Sequence, residues 1–419
     1  MVLLIGNYSL DRQQSMQRFN AMMLQGLREC GVEAELVQPP AVLGRIRAVG
    51  ATAAKWFGYI DKFILFRWRL WGKLAARPAL VHICDHSNAT YARLARKFPL
   101  VITCHDLLAV RGGLGEDTDC PASFTGRMLQ RWILRGLRRA DIIACDSRAT
   151  ARDAERLLAR EGDRPRISLV HVGLNFPYRH LPNDVVDGRL RMIGDLKCKE
   201  RFVLHVGSNL RRKNREAVLR IFAKCADALD AQMVFAGDAL SNSLRAQARD
   251  LHIEHCIVEV ANASNEILEA LYNRAHALLY PSRFEGFGWP IIEAQACGCP
   301  VVCSSAGPMA EVAGAGALLH EPDDEEDFVA DLLRLADPEE RRRWSAKAFE
   351  NAKRFSAARM ISEYRELYRS LAPACSRNWQ CSCRSCCHGR PGAACSRGSS
   401  VIRFIPPAES VLLGLAPVA

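Results

Sequence analysis

Short, mostly apolar runs alternate with longer amphipathic stretches along this chain, and they form two series. In the first, runs at 2–6, 32–37, 80–84, 100–104, 142–145 and 167–172 read as buried strands, with helical spacing of apolar residues between them. Thr150 and Asp153 have the spacing of a capping box opening one of these helices. Parallel pairing is expected where a helix-length crossover joins strands, so residues 1–180 predict one parallel α/β domain. Apolar periodicity lapses over 181–200, which reads as an interdomain linker. The second series has strands at 202–206, 232–236, 257–260, 277–280, 301–303 and 317–319. Helical patterns lie between them, Ser264 supplying an N-cap for one, and a final helical stretch runs over 339–371. Residues 201–345 therefore predict a second βα-alternating domain.

Residues 44–76 break this rhythm. Trp56, Phe57, Tyr59, Phe63, Phe66, Trp68 and Trp71 are interleaved with basic residues, and Arg45 to Arg77 hold eight Lys or Arg against one acid, Asp61. An aromatic face opposite a cationic one suits a membrane interface. It suits equally a helix packed on the core with a solvated basic face, and helical period alone does not separate the two. Arg127, Arg131, Arg135, Arg138 and Arg139 form a second basic stretch, read as a solvated face or as a contact for phosphate or lipid headgroups.

A chain of 419 residues exceeds what one core usually serves, in keeping with two domains. The N-terminal apolar run is too short for a secretory leader, and no apolar stretch reaches the roughly 18 residues of a spanning helix, so a cytosolic protein is expected. The net charge of +11 suits nucleic acid, an anionic membrane surface or a diphosphate ligand. No recognition motif accompanies the charge, so nucleic acid is not expected. Eleven of the 17 cysteines lie before residue 374, mostly in apolar runs, and read as reduced buried thiols. The other six crowd into 374–419, which lacks periodicity and reads as a disordered appendage. Cys381, Cys383, Cys386, Cys387 and His388 lack the two separated Cys-x2-Cys pairs of a zinc site. Asp117-Thr-Asp119 sits in a glycine-rich loop without a preceding apolar strand and is not expected to bind metal.

The strongest chemical signal is 280–303, Tyr-Pro-Ser-Arg-Phe-Glu-Gly-Phe-Gly-Trp-Pro-Ile-Ile-Glu-Ala-Gln-Ala-Cys-Gly-Cys-Pro-Val-Val-Cys. A strand ends at Tyr280, the chain turns through Gly286 and Gly288, and a helix opens at Trp289-Pro290, where proline's missing N–H costs nothing. Gly298 stops the helix and Pro300 forbids its continuation. Free N–H groups at the helix start suit an anion, and Glu285 and Glu293 suit hydroxyls beside it. The turn 207–213, Gly-Ser-Asn-Leu-Arg-Arg-Lys, ends another strand of the same domain: Gly207 permits close approach, and Arg212 and Lys213 supply charge for a diphosphate. A sugar nucleotide carries both kinds of group.

These residues resemble the family-4 retaining glycosyltransferases. The resemblance is close over 200–320, through Val206-Gly-Ser, Phe235-Ala-Gly-Asp238, the 280–288 loop, Glu293-Ala, Gly298-Cys-Pro-Val-Val302 and Ala310-Glu-Val-Ala-Gly314. It is looser over 80–175, through Val81-His-Ile-Cys-Asp-His86, Thr103-Cys-His-Asp-Leu107 and Ile143-Ala-Cys-Asp-Ser147. It implies the GT-B architecture, two Rossmann-like domains facing across a cleft, with a C-terminal helix (346–373) crossing back to the first. It implies a nucleotide-diphosphate-sugar donor, a glycan or lipid-linked acceptor, and no cofactor or metal. Glu293 would hold the ribose hydroxyls and Glu285 the donor sugar. Backbone N–H groups around Gly286, Phe287 and Gly288 would contact sugar or phosphate, Arg212 and Lys213 the diphosphate, and His105 would face the reacting sugar. The loop 6–15 lacks the paired glycines common in relatives, which leaves the acceptor class open. A sugar phosphorylase or nucleotide-sugar epimerase on the same scaffold, and a non-catalytic binding protein, are the alternatives.

Overall fold

The computed structural model describes residues 1–11, 13–46, 51–159, 165–194, 196 and 201–371, the side chains of 51–55 apart. The cysteine-rich stretch 374–419, its candidate zinc residues included, lies outside the described residues.

Six strands form the first sheet: β1 (Val2–Ile5), β2 (Ala34–Val37), β3 (Leu80–Ile83), β4 (Leu100–Cys104), β5 (Ile142–Cys145) and β6 (Arg166–Leu169), in the order β2-β1-β3-β4-β5-β6. All pairings are parallel, Val2 lying opposite both Ala34 and Leu80. Every residue of β1, β3, β4 and β5 is buried. Their runs, apolar but for His82 in β3 and Thr103 in β4, account for this, because such runs need cover on both faces. The helices of this half are α1 (Gln14–Glu29), α2 (Ala51–Ile60), α3 (Phe66–Ala75), α4 (Leu108–Gly113), α5 (Phe124–Leu137) and α6 (Arg148–Leu158). The residue capping α6 is Ser147, whose hydroxyl accepts from the Thr150 N–H. The expected box at Thr150 and Asp153 is therefore displaced by one turn, and Asp153 instead pairs with Arg111 and Arg156.

The expected linker holds a helix, α7 (Asn183–Leu190), which buries Val186 and Leu190 and packs on a helix of the second domain. Its short apolar pattern concealed it. The second sheet comprises β7 (Arg201–Gly207), β8 (Ala231–Gly237), β9 (Ile257–Ala261), β10 (Ala277–Tyr280), β11 (Val301–Ser304) and β12 (Leu318–His320), ordered β12-β11-β10-β7-β8-β9 and again parallel. Its helices are α8 (Arg215–Leu229), α9 (Asn242–Asp250), α10 (Asn265–Arg274), α11 (Trp289–Ala296), α12 (Met309–Ala313), α13 (Glu325–Arg334), α14 (Pro338–Ala352) and α15 (Ala357–Leu371).

The stretch read as one helix over 339–371 is thus two. Phe355 turns into the core at the break, and the Ser356 hydroxyl receives the Arg359 N–H at 3.1 Å. This break redirects α15 onto α1 of the first domain. There His82, buried in the middle of β3, bonds Tyr368 at 2.7 Å and Thr103 at 2.8 Å, and Thr103 bonds Tyr364 at 2.7 Å. A buried imidazole without water must find such partners. One continuous core runs from Val2 and Leu4 through Tyr178, Phe355 and Met360 to Phe202 and Leu278, so the two domains share it.

The aromatic segment is helical, but its phase shifts midway. Asp61–Leu65 forms a π turn between α2 and α3, a wider winding that rotates α3 relative to α2. Phe66, Leu70 and Leu74 face inward, whereas Trp56, Trp68 and Trp71 are 63%, 73% and 67% exposed. The lone acid of the run, Asp61, is buried: it accepts from the N–H groups of Val42, Leu43 and Gly44 and from the Tyr8 hydroxyl.

Candidate active site

Loops at the carboxyl ends of both sheets meet, Gly286 after β10 against His105 after β4, at the ends where open α/β sheets bind ligands. On the second-domain side two loops are bound together. The Arg283 N–H donates to the Arg212 carbonyl at 2.8 Å, and the Asn214 side chain donates to the Pro281 carbonyl at 3.0 Å. Asn214 adopts a left-handed conformation that ends the basic turn and starts α8.

This pairing brings Arg212 and Lys213 onto Glu285. Arg212 donates to Oε2 at 2.6 Å and Lys213 to Oε1 at 2.7 Å, while the Tyr280 hydroxyl also reaches Oε1 at 2.7 Å. Burial opposes ionisation of Glu285, but the adjacent Lys213 and Arg212 charges prevail and bring its pKa from 4.5 to about 2. Burial lowers the Lys213 pKa, partly offset by Glu285. Gly207, at the end of β7, is held by Arg215, whose guanidinium donates to its carbonyl at 2.6 Å.

The 280–288 loop needs its glycines for two different reasons. Gly288 has φ of +102° at the start of α11, which favours glycine. A Cβ on Gly286 would lie 2.6 Å from the His105 carbonyl oxygen, because the first domain approaches here. The Ser147 hydroxyl donates to the Gly286 carbonyl at 3.3 Å across the same contact. The Phe287 ring is buried against Phe355 rather than turned to the cleft. Glu293 is buried in the second turn of α11 and accepts from Tyr272 at 2.9 Å and Asn175 at 3.1 Å. Burial raises its pKa, with Tyr272 working against the rise.

On the first-domain side His105 follows β4. Its Nδ1 lies 3.0 Å from Asp146 Oδ2 and its Nε2 3.0 Å from the Cys84 carbonyl oxygen. The carbonyl only accepts, and so does an ionised carboxylate; both ring nitrogens are therefore placed to donate, the arrangement of an imidazolium. Burial opposes that charge, but Asp146 outweighs it and raises the His105 pKa. The imidazole expected to face the sugar is thus turned to partners within its own domain, and the His105 backbone is what meets the donor loop. Asp119 of the Asp-x-Asp stretch lies 3.7 Å from Arg211.

Several site groups escaped the sequence reading. Tyr280, Asp146 and Ser147 lie inside the motifs but carry no spacing signal. Glu311 bonds His171 at 2.7 Å and accepts the Arg148 N–H at 2.8 Å, joining α12 to the start of α6. Asn175 and Tyr272 are tied to Glu293 only by the fold.

Two parallel α/β domains with these loops at their facing ends define the GT-B architecture. Within it residues 189–351 match the family model described as glycosyl transferases group 1, and 16–173 match that described as glycosyl transferase 4-like domain. D-inositol 3-phosphate glycosyltransferase of Corynebacterium glutamicum is 28% identical over 285 residues, 65% of this chain and 66% of that protein. O-antigen chain mannosyltransferase B of Escherichia coli is 38% identical over 108 residues, 26% of this chain and 28% of that one. The chain thus spans slightly less than two thirds of the first relative and under a third of the second. Anabaena HepE, solved in complex with UDP and glucose, superimposes with a TM-score of 0.67 at 16% identity, covering 88% of this chain and 99% of that one.

Proposed function

We propose that this chain is a retaining glycosyltransferase that moves a hexosyl group from a nucleoside-diphosphate sugar to an acceptor hydroxyl without a metal ion. The convergence of Arg212 and Lys213 on Glu285 carries this reading. Breaking the sugar–phosphate bond puts negative charge on the diphosphate and positive charge on the anomeric carbon. Arg212 and Lys213 would take the first and Glu285 the second, in a buried setting where fixed charges act strongly. Glu293 would accept from the ribose hydroxyls. Gly207 would admit the phosphates, and the N–H groups of Gly286, Phe287 and Gly288 would meet sugar or phosphate. The His105 backbone, against Gly286, would close the sugar side, its imidazole holding that backbone through Asp146 and the Cys84 carbonyl. A double displacement requires a placed nucleophile, and Glu285 is already committed to three partners. Departure and attack on one face is therefore the proposed course: the anomeric C–O bond to phosphate breaks, the acceptor oxygen bonds that carbon, and its proton passes to the leaving phosphate.

A thermal-shift screen with GDP-, UDP- and ADP-sugars tests this, since a bound donor raises the melting temperature by mass action. Transfer should then survive a chelator. No shift with any sugar nucleotide would overturn the reading. Turnover of sugar 1-phosphate instead would point to a phosphorylase, and rearrangement of the donor without an acceptor to an epimerase.

A second observation bears on where the reaction occurs. The exposed Trp56, Trp68 and Trp71 lie on a segment rich in Lys and Arg, a composition suited to the headgroup region. On this reading the enzyme works at the cytoplasmic face of a membrane, contacting it through residues 45–77. The acceptor would be a glycan or lipid-linked saccharide in surface glycan, lipid-linked oligosaccharide or glycolipid synthesis. Vesicle binding that persists after Trp56, Trp68 and Trp71 are changed to Ala would count against it.

A further inference from the structure

The first domain carries a second basic feature that the proposed transfer does not use. A cavity of about 210 Å³ lies between α5 and the turn at 86–91, and Arg93, Arg135 and Arg139 line it together with Trp132 and Thr90. Among the described residues, none of these three arginines pairs with a carboxylate. Among the described residues their one side-chain hydrogen bond runs from Arg139 to the Arg135 carbonyl, at 3.0 Å. Neither α5 nor α3 contains an acid.

The pocket is built on a close backbone contact. A Cβ on Gly136 would sit 2.0 Å from the Ala89 carbonyl oxygen, so α5 rests directly on the turn. The pocket also continues into the aromatic face. Trp132 lies 5.4 Å from the Phe63 ring, and Phe63 continues through Tyr59 to Trp56. Along α5 and the turn after it, the exposed positions 124, 128, 131, 135 and 139 keep the three- and four-residue spacing of one face. That face passes from Phe124 and Met128, 77% and 57% exposed, to Arg131, Arg135 and Arg139.

We propose that the Arg93–Arg135–Arg139 pocket seats the phosphate of an anionic phospholipid while the tryptophan face of α2 and α3 enters the surrounding interface. The assignment rests on the membrane reading of residues 45–77 and names its lipid partner. Planar guanidinium groups match phosphate oxygens in pairs. A free phosphate would be served by the arginines alone. The exposed apolar residues bordering them favour a phosphate that arrives attached to a membrane.

The test uses the full chain and sedimentation with vesicles of phosphatidylcholine, alone or mixed with phosphatidylglycerol. Arg93→Gln/Arg135→Gln/Arg139→Gln should bind mixed vesicles roughly a hundredfold more weakly, from about fivefold per lost cation near the surface, and neutral vesicles unchanged. The control Arg69→Gln/Arg127→Gln/Arg131→Gln removes equal charge from outside the pocket and should lose markedly less; equal losses would overturn the pocket. Binding to neutral vesicles with no gain from phosphatidylglycerol would overturn the pocket while leaving the membrane reading intact. No binding to either vesicle would overturn both. Inorganic phosphate broadened in its ³¹P signal by the wild type but not by the pocket variant, without preference for anionic vesicles, would reassign the site to a free anion and overturn the lipid assignment. Matching melting temperatures establish that the variants fold.

Discussion

Glu285→Gln separates two roles that one carboxylate could have: acting on the donor sugar, or merely holding two cations in place. The side chain is 6% exposed and meets Arg212, Lys213 and Tyr280 at 2.6 to 2.7 Å. A pKa brought from 4.5 to about 2 corresponds to roughly 3 kcal/mol favouring the anion, at about 1.4 kcal/mol per pH unit. The amide abolishes that term and leaves Lys213 a cation with little solvent, so the second domain should lose about 3–4 kcal/mol, within the range for breaking a buried pair. By linkage, a carboxyl with a depressed folded pKa stabilises above its unfolded value of about 4.5, and this contribution disappears as pH falls through about 2. Urea denaturation of Glu285→Gln, Lys213→Met and the double variant measures the coupling. The double variant should be at least about 1 kcal/mol more stable than the two losses added together. In assays, transfer should fall by about a hundredfold to a thousandfold. Nucleoside diphosphate should bind as tightly as before or more tightly, because Arg212 and Lys213 lose a competing anion. Parallel loss of transfer and diphosphate binding would refute the sugar-side role and leave Glu285 a scaffold for the cations.

Asp146→Asn should change the pH profile. A histidine with a raised folded pKa contributes where its partner is ionised. Burial raises the Asp146 pKa itself to about 6 despite His105, so the contribution is present near neutral pH and is lost as pH rises through the folded His105 value. Wild-type melting temperature and transfer should therefore decline across that interval, while the variant, lacking the anion opposite Nδ1, should show the decline at lower pH; an unchanged midpoint would refute the imidazolium assignment. Gly286→Ala puts a methyl 2.6 Å from the His105 carbonyl oxygen, so it should wedge the domains apart. Small-angle scattering should show a larger radius of gyration, with a raised donor KM; unchanged scattering would show that the loop yields instead.

The layered fold was legible because its strands are buried on both sides. Val2–Ile5, Leu80–Ile83 and Ile142–Cys145 are apolar almost without interruption, His82 being the exception, and local sequence suffices to mark such runs. The start of α11 was legible for a similar reason, since Gly288 and Pro290 carry their backbone preferences with them. Elements whose identity depends on distant packing were not. α7 has only Val186 and Leu190 to bury, and it becomes a helix against α10. The period of 51–75 announced a helix, yet which aromatics face inward depends on the π turn, which Asp61 secures through Tyr8 and the 42–44 N–H groups. The break before α15 did have a local sign, Ser356, masked by helical spacing on both sides.

The site divides along the same line. Glu285, Glu293, Arg212 and Lys213 stand out in the sequence because their types and spacing carry their chemistry, and the structure brings Arg212 and Lys213 onto Glu285. Their partners were not, because His105 and Asp146 are 41 residues apart and Asn175 and Glu293 are 118 apart. Those partners alter how the site would work. Each recognised group already holds a counterpart resembling what a sugar nucleotide would bring. The Glu285 carboxylate stands before Arg212 and Lys213 where a diphosphate would compete, and the Tyr272 hydroxyl and Asn175 amide stand before Glu293 where ribose hydroxyls would. Recognition of a sugar nucleotide by these residues would be an exchange of partners, so the charged groups need not wait unpaired and buried, a condition that low local dielectric makes costly. Such an exchange would also make selectivity steep: a ligand supplying the diphosphate but not the ribose hydroxyls, or the reverse, would displace only one set of internal bonds and leave the other competing.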